Sequence, residues 1–195
     1  MKKFEAKIIP LLILFAMPWS GGINTAQVSE KETFDASVLA RMGGGGRMVV
    51  EHWTTGEETE RLLQAFNEGG SDVLFREIRK MKAGHFSGYF GSLDKPTGGP
   101  VSVLNLAFSQ QTERGRLIHL VIERPLLPLY FNEHQPLPQP QDYEFGLVEL
   151  VLDEKGEGQG THFPAVRVGI SKAGNIEFTP LDREPEKLIW AAKTE

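Results

Sequence analysis

Histidine, serine set among glycines, and glycine in runs are the residue types here whose spacing could do chemistry. The five histidines, His52, His85, His119, His134 and His162, could ligate a metal as neutral imidazoles or serve as bases. None stands at a His-x-His or His-x-x-x-His spacing. Strands could bring His52 and His119 together, but adjacent residues such as Glu51 and His52 point to opposite faces of a strand. Structural or surface histidines are therefore the favoured reading, and neither a metal nor a cofactor is expected. In "GHFSG" (84–88) the glycine before Ser87 stands one residue too far away for a nucleophile elbow, and a helical pattern precedes it where a strand is required. Glycines 43 to 46 precede a strand, whereas a phosphate loop follows a strand and opens a helix, and no Lys-Ser/Thr pair comes after them. The acidic "DEKGEGQG" (153–160) places Lys155 where a calcium loop needs an oxygen ligand, and so reads as a turn.

The elements that must position these residues follow from periodicity. Arg47 to Thr54 alternates and is rich in β-branched residues, which predicts a first strand. Thr55 and Glu58 have the three-residue spacing of a capping box, so a helix is expected to start there, with Leu62, Leu63 and Phe66 on its apolar face and Gly69-Gly70 at its end. Ser71 or Asp72 would cap a second helix that turns Val73, Leu74, Ile78 and Met81 inward. Arg76, Arg79, Lys80 and Lys82 crowd its C-terminal half, where cations complement the helix dipole.

Beyond residue 85 the period becomes two. Val101 to Gln111 and Arg116 to Arg124 form one hairpin, and Tyr143 to Leu152 and Glu157 to Ile170 form another. Short strands are expected around 176–178 and 188–192. Between the hairpins, "RPLLPLYFNEHQPLPQPQ" carries prolines at 125, 128, 136, 138 and 140, which excludes a central strand and leaves a covering strap or a binding loop.

Lys2, Lys3 and Lys7 precede an apolar core from Ile8 to Met17, and small residues follow at Ser20, Gly21 and Gly22. This is the pattern of a secretory signal peptide, with cleavage expected after Gly22 and, as second choice, after Ala26. The core is shorter than the about 20 apolar residues that span a bilayer. Removing residues 1–22 takes the formal charge from −5 to −7, which argues against nucleic acid as a partner. The chain has no cysteine, so disulfides, thiolate metal sites and a cysteine nucleophile are all excluded.

"EHWTTGEETERLL" (51–63), "LIHLVIERP" (117–125) and "YEFGLVELVLDEKGEGQG" (143–160) resemble, in order, segments of a family of uncharacterised exported bacterial proteins. In that family a strand ends in Trp-Ser/Thr before an acidic capped helix, and a Tyr-Pro-Phe-Thr-Leu-Ile-Glu-Leu strand runs into a Gly-Glu-Gly hairpin. Glu144 and Gly146 depart from it where proline and threonine stand. The resemblance implies export to the periplasm or beyond, and it implies no activity.

The resulting expectation has three parts: a signal peptide (1–22), a flexible lead with a glycine-rich linker (23–46) and a single α+β domain (47–195). In that domain a curled or barrel-like antiparallel sheet of six to eight strands carries two short helices inserted after the first strand. The leading function is non-catalytic binding of a small molecule or an envelope protein, with Trp53, Tyr130, Phe131 and His134 as contacts. Two alternatives are a hydrolase, metal-assisted or not, using His119 or His134, and a structural or assembly factor.

Overall fold

A computed structural model describes residues 31–38, 44–90, 97–123, 145–180 and 186–194. Two strands open the chain, β1 (Glu32–Val38) and β2 (Gly44–Val50), followed by helix α1 (Gly56–Lys80). Seven more strands complete it: β3 (Gly84–Phe90), β4 (Thr97–Thr112), β5 (Gly115–Glu123), β6 (Phe145–Leu152), β7 (Glu157–Ile170), β8 (Ile176–Pro180) and β9 (Glu186–Lys193). Every pairing is antiparallel, and because β6 pairs with β7 the strands β1 to β7 and β9 close into an eight-stranded barrel. Closure removes the sheet edges that an open sheet would have to protect.

Three expectations are corrected. The barrel begins at residue 32 and not at 47: β1 lies within the expected lead, and Gly44, Gly45 and Gly46 pair with Val38, Ser37 and Ala36 on one side and with Phe90, Tyr89 and Gly88 on the other. The glycines are tolerated in the sheet because the ring of Phe86 lies where a Cβ of Gly46 would stand, 2.3 Å from that position. The helical region follows the second strand, not the first, and is one 25-residue helix with a break at Gly70 (φ 68°, ψ −158°). Gly70 takes a positive-φ extended conformation open essentially to glycine alone, so the Gly69-Gly70 pair does interrupt the helix, but the chain resumes helix at once. The signal peptide expected over 1–22 lies outside the described residues.

Inward positions follow from register. Glu32, Phe34 and Ala36 of β1 share the inner face with Met48 and Val50 of β2 and Phe86 of β3. Ile118, Leu120 and Ile122 of β5 do so with Val148, Leu150 and Leu152 of β6. Apart from Glu32, these residues join Leu104, Ala107, Leu188 and Ala191 in one buried apolar cluster.

A second core lies outside the barrel. Leu62, Leu74, Phe75 and Ile78 of α1 pack on the outer residues Leu106, Val121, Phe145 and Leu147. The second half of β7 leaves the barrel to pair with β8, and Val166, Val168, Ile176 and Phe178 of this hairpin join the same core. The departure is marked by a bulge: the step from Phe145 to Leu147 in β6 faces the longer step from Phe163 to Val166, which contains Pro164. Proline has no ladder donor to lose there. In β4 the extra residue at the bulge facing β5 is Asn105, fully buried, whose Nδ2 donates to the carbonyls of Ile78 and Met81 at 3.3 and 3.2 Å and so ties down the C-terminal end of α1.

Candidate functional site

The two ends of the barrel are built differently. The near end is the rim formed by Glu32, Val50, Gly84, Gly115, Leu152, Glu157 and Lys193. There β4 and β5 join through a tight turn, β6 and β7 through another, and the chain enters and leaves α1. The far end carries the strand termini Val38, Gly44, Phe90, Thr97, Glu123 and Phe145, together with Glu186.

A charged and aromatic plug fills the near end. Arg116, in phase with Ile118, donates from Nη1 and Nη2 to Glu32 Oε2 and Oε1 at 2.6 and 3.1 Å, and from Nε to Ser109 Oγ at 2.7 Å. Lys193 Nζ stands 3.5 Å from the same carboxylate, whose side chain is 9 % exposed. The guanidinium lies 4.9 Å over the Trp53 ring, and Trp53 meets Phe34 edge-on with ring centroids 6.4 Å apart. A cation over an indole face and a bidentate carboxylate are both favourable for a planar guanidinium. Trp53 is held there by its neighbour Thr54, whose N–H donates to the Ala107 carbonyl and whose Oγ1 accepts from the Ala107 N–H.

Toward the far end register places several small residues on the inner face, with the Phe86 ring lying over Gly46. Register places Ala36, Gly46 and Gly88 side by side across β1, β2 and β3, and puts Gly146 next inward beyond Val148 on β6. His162 pairs with Val148 and with Glu186, so it belongs to this inner face, and it is fully buried. His162 is not isolated, and its Nε2 makes no hydrogen bond.

Trp53, one of the expected contacts, therefore belongs to the near-end plug. Tyr130, Phe131 and His134 lie outside the described residues, on the connection that leaves β5 and enters β6 at the far end. The structure thus separates Trp53 from the point where the other three attach. Periodicity alone did not single out Glu32, Arg116 or His162; the signal for the last was its alternation with Gly158 and Gly160 in β7.

The other described histidines, His52, His85 and His119, sit outside the barrel. His119 Nε2 is 3.0 Å from Glu149 Oε2, and its ring meets Phe178 at 5.9 Å. Its side chain is 4 % exposed, so this pair joins β5 and β6 under the β7–β8 hairpin with no open face for a substrate. His52 Nε2 lies 2.9 Å from Glu58 Oε2, and His85 Nδ1 lies 3.7 Å from Glu51 Oε1. Burial alone would raise the Glu58 pKa, but the Thr55 backbone N–H and His52 hold its carboxyl below the ordinary value of 4.5. Ser87 lies within β3, paired with Arg47 and Val101, and not on a strand-to-helix turn. The basic run on α1 is partly neutralised, with Arg79 3.7 Å from Glu123 and Lys80 paired with Glu77.

Among the described residues no group of three or more His, Cys, Asp or Glu could hold a metal ion, and no helix is long and apolar enough to cross a membrane. Comparison with protein-family models, curated proteins and solved structures finds no match to this chain.

Proposed function

We propose that this chain is a non-catalytic binding module of the cell envelope, exported by its N-terminal segment, that takes a small apolar molecule through the far end of the barrel. The observation that carries the reading is the asymmetry of the interior. The near end is filled by Trp53, Arg116 and Glu32, whereas register assigns the small residues Ala36, Gly46, Gly88 and Gly146, and the buried His162, to the inner face toward the far end, where the Phe86 ring lies over Gly46. An eight-stranded barrel is wide enough either to be filled by side chains or to hold one small ligand, and small inward residues favour the second use. The proline-rich connection starts and ends at that same rim, which supports Tyr130, Phe131 and His134 as contacts at the mouth. The sequence resemblance to exported proteins of no known activity accords with this reading.

The test is a native mass spectrum of the purified protein beside a spectrum taken under denaturing conditions. The proposal expects a small-molecule mass excess in the first that vanishes in the second, and a smaller bound fraction in the Tyr130→Ala/Phe131→Ala/His134→Ala triple variant. Binding of the same amount after residues 125–140 are deleted would remove the loop from the site. A bare polypeptide mass that takes up no hydrophobic probe would contradict the proposal.

A further inference from the structure

We propose that this chain associates with a second copy of itself by antiparallel addition of β8 to the partner's β8, with the two-fold axis at Phe178. Such pairing is independent of what the barrel holds.

Outside the closed barrel one strand edge remains. β8 ends the strand order and pairs with β7 alone. The orientation of its backbone follows from the turn before it. Ser171 N–H donates to the Asn175 carbonyl across that turn, which makes Ile170 and Ile176 a pair without mutual hydrogen bonds and Gly169 and Glu177 the next bonded pair. Glu177 and Thr179 therefore turn their N–H and C=O groups toward β7. Ile176 and Phe178 turn theirs away from it, and Pro180 its carbonyl. Among the described residues none meets these groups. Natural sheets blunt such an edge with lysine, a bulge or an interior proline, whereas here the lone proline stands at the last position of the strand.

The residue pattern of β8 fits its own copy. With the axis at Phe178, each copy donates from Phe178 N–H to the partner's Phe178 carbonyl and from Ile176 N–H to the partner's Pro180 carbonyl. The N–H that proline lacks removes only the return bond to Ile176. Both faces of the sheet then continue across the seam. On the apolar face one row runs from Val168 through Phe178 to the partner's Phe178 and the partner's Val168, and the next from Ile170 through Ile176 to the partner's Pro180 and the partner's Val166. Ile176 and Phe178 are only half-buried against the outer core, so a copy beside them covers apolar surface that one chain leaves in contact with water. On the opposite face Glu177 stands across from the partner's Thr179. The partner's Arg167, exposed on the strand beyond, lies about two strand spacings or 10 Å away, within reach of two long side chains of opposite charge. The neighbouring register, with Ile176 against the partner's Phe178, sets Glu177 opposite itself and is disfavoured by charge. Any extended peptide finds the same N–H and C=O groups, but a second copy also finds matching apolar and charged rows. The interface is isologous and short, which places it among weak, concentration-dependent associations.

The experiment is sedimentation velocity of the full-length chain from micromolar to millimolar concentration, with amide hydrogen exchange read at both ends of the range. A monomer–dimer equilibrium is expected, and the amides of Ile176 and Phe178 should exchange more slowly in the concentrated sample while that of Glu177, bonded to Gly169, is protected in both. Thr179→Glu changes an exposed side chain that neighbours Arg167 within its own chain, yet sets a carboxylate across from the partner's Glu177. It is expected to weaken the dimer about fivefold or more, and Glu177→Lys/Thr179→Glu, which restores opposite charges across the seam, should recover the loss. The exchange readout needs no substitution, and so stands even where a variant folds poorly. A monomer at every concentration overturns the proposal. A dimer in which the Ile176 and Phe178 amides exchange as fast as in dilute solution, or which Thr179→Glu leaves unweakened, overturns β8 as the seam. Protection of both amides already in a dilute monomer overturns the second copy as occupant and assigns the edge to another polypeptide segment.

Discussion

Glu58 concentrates three roles in one carboxylate. It accepts from the Thr55 N–H at 2.8 Å and from Thr55 Oγ1 at 3.1 Å, closes the capping box of α1, and lies 2.9 Å from His52 Nε2. Truncating the cap by Thr55→Ala should cost about 1 kcal/mol, read as a shift in the urea midpoint with an unchanged slope. Because the folded-state pKa of Glu58 lies below its ordinary value, its ionised form contributes stability above about pH 4.5 that is lost as pH falls through the folded value. The stability gap between wild type and Glu58→Gln should therefore narrow from pH 6 toward pH 3, and a gap that does not change with pH would remove the carboxylate from this account. The Glu32–Arg116 pair belongs at the same scale. Glu32 is 9 % exposed at its side chain, so Arg116→Met leaves a buried charge and should cost about 3–5 kcal/mol, whereas the double variant Glu32→Gln/Arg116→Met should recover much of that loss. Additive losses in that cycle would mean that the two side chains do not depend on each other.

Elements were legible where their pattern was local and hidden where the partner was distant. Both hairpins, the capped helix start at Thr55 and the closing strands were readable because alternation, turn glycines and cap spacing lie within a few residues of one another. β1 was not, because "ETFDASV" carries its charges on both faces: Glu32 points in to meet Arg116, 84 residues away, and Asp35 points out to receive both Nε and Nη2 of Arg47. Neither partner is visible from the segment itself. The glycine run misled for the same reason, since the side chain that occupies the space at Gly46 is the Phe86 ring from the next strand, 40 residues on. Gly46→Ala should accordingly destabilise the barrel in thermal or chemical denaturation, and Phe86→Leu should relieve part of that cost when combined with it. If the two substitutions are simply additive, the ring is not what fixes this position. The Gly69-Gly70 pair did interrupt the helix, but Leu74, Phe75 and Ile78 pack on the same outer face as Leu62, which keeps both halves in one element.

At the scale of the whole molecule, the sequence reached a barrel-like antiparallel sheet with helix against it, and left open how the ends of that barrel differ. The difference depends on register, which brings together residues from β1, β5 and β9 at one rim and small residues from β1, β2, β3 and β6 toward the other. The candidate site was correspondingly half legible. The connection bearing Tyr130, Phe131 and His134 was recognisable by its prolines, while His162 was one of five scattered histidines until β7 was paired on both sides. α1 and the β7–β8 hairpin cover the outside of β4, β5 and β6, so the outer apolar residues there are committed to structure and the inner ones remain for function. The most direct test of this division is methyl NMR of isotopically labelled protein titrated with dodecanoic acid. The account predicts shifts at the inner-face methyl groups of Ile122, Val148 and Leu188 with little change at the outer-face Leu106, Val121 and Leu147, and shifts confined to the outer set would contradict it.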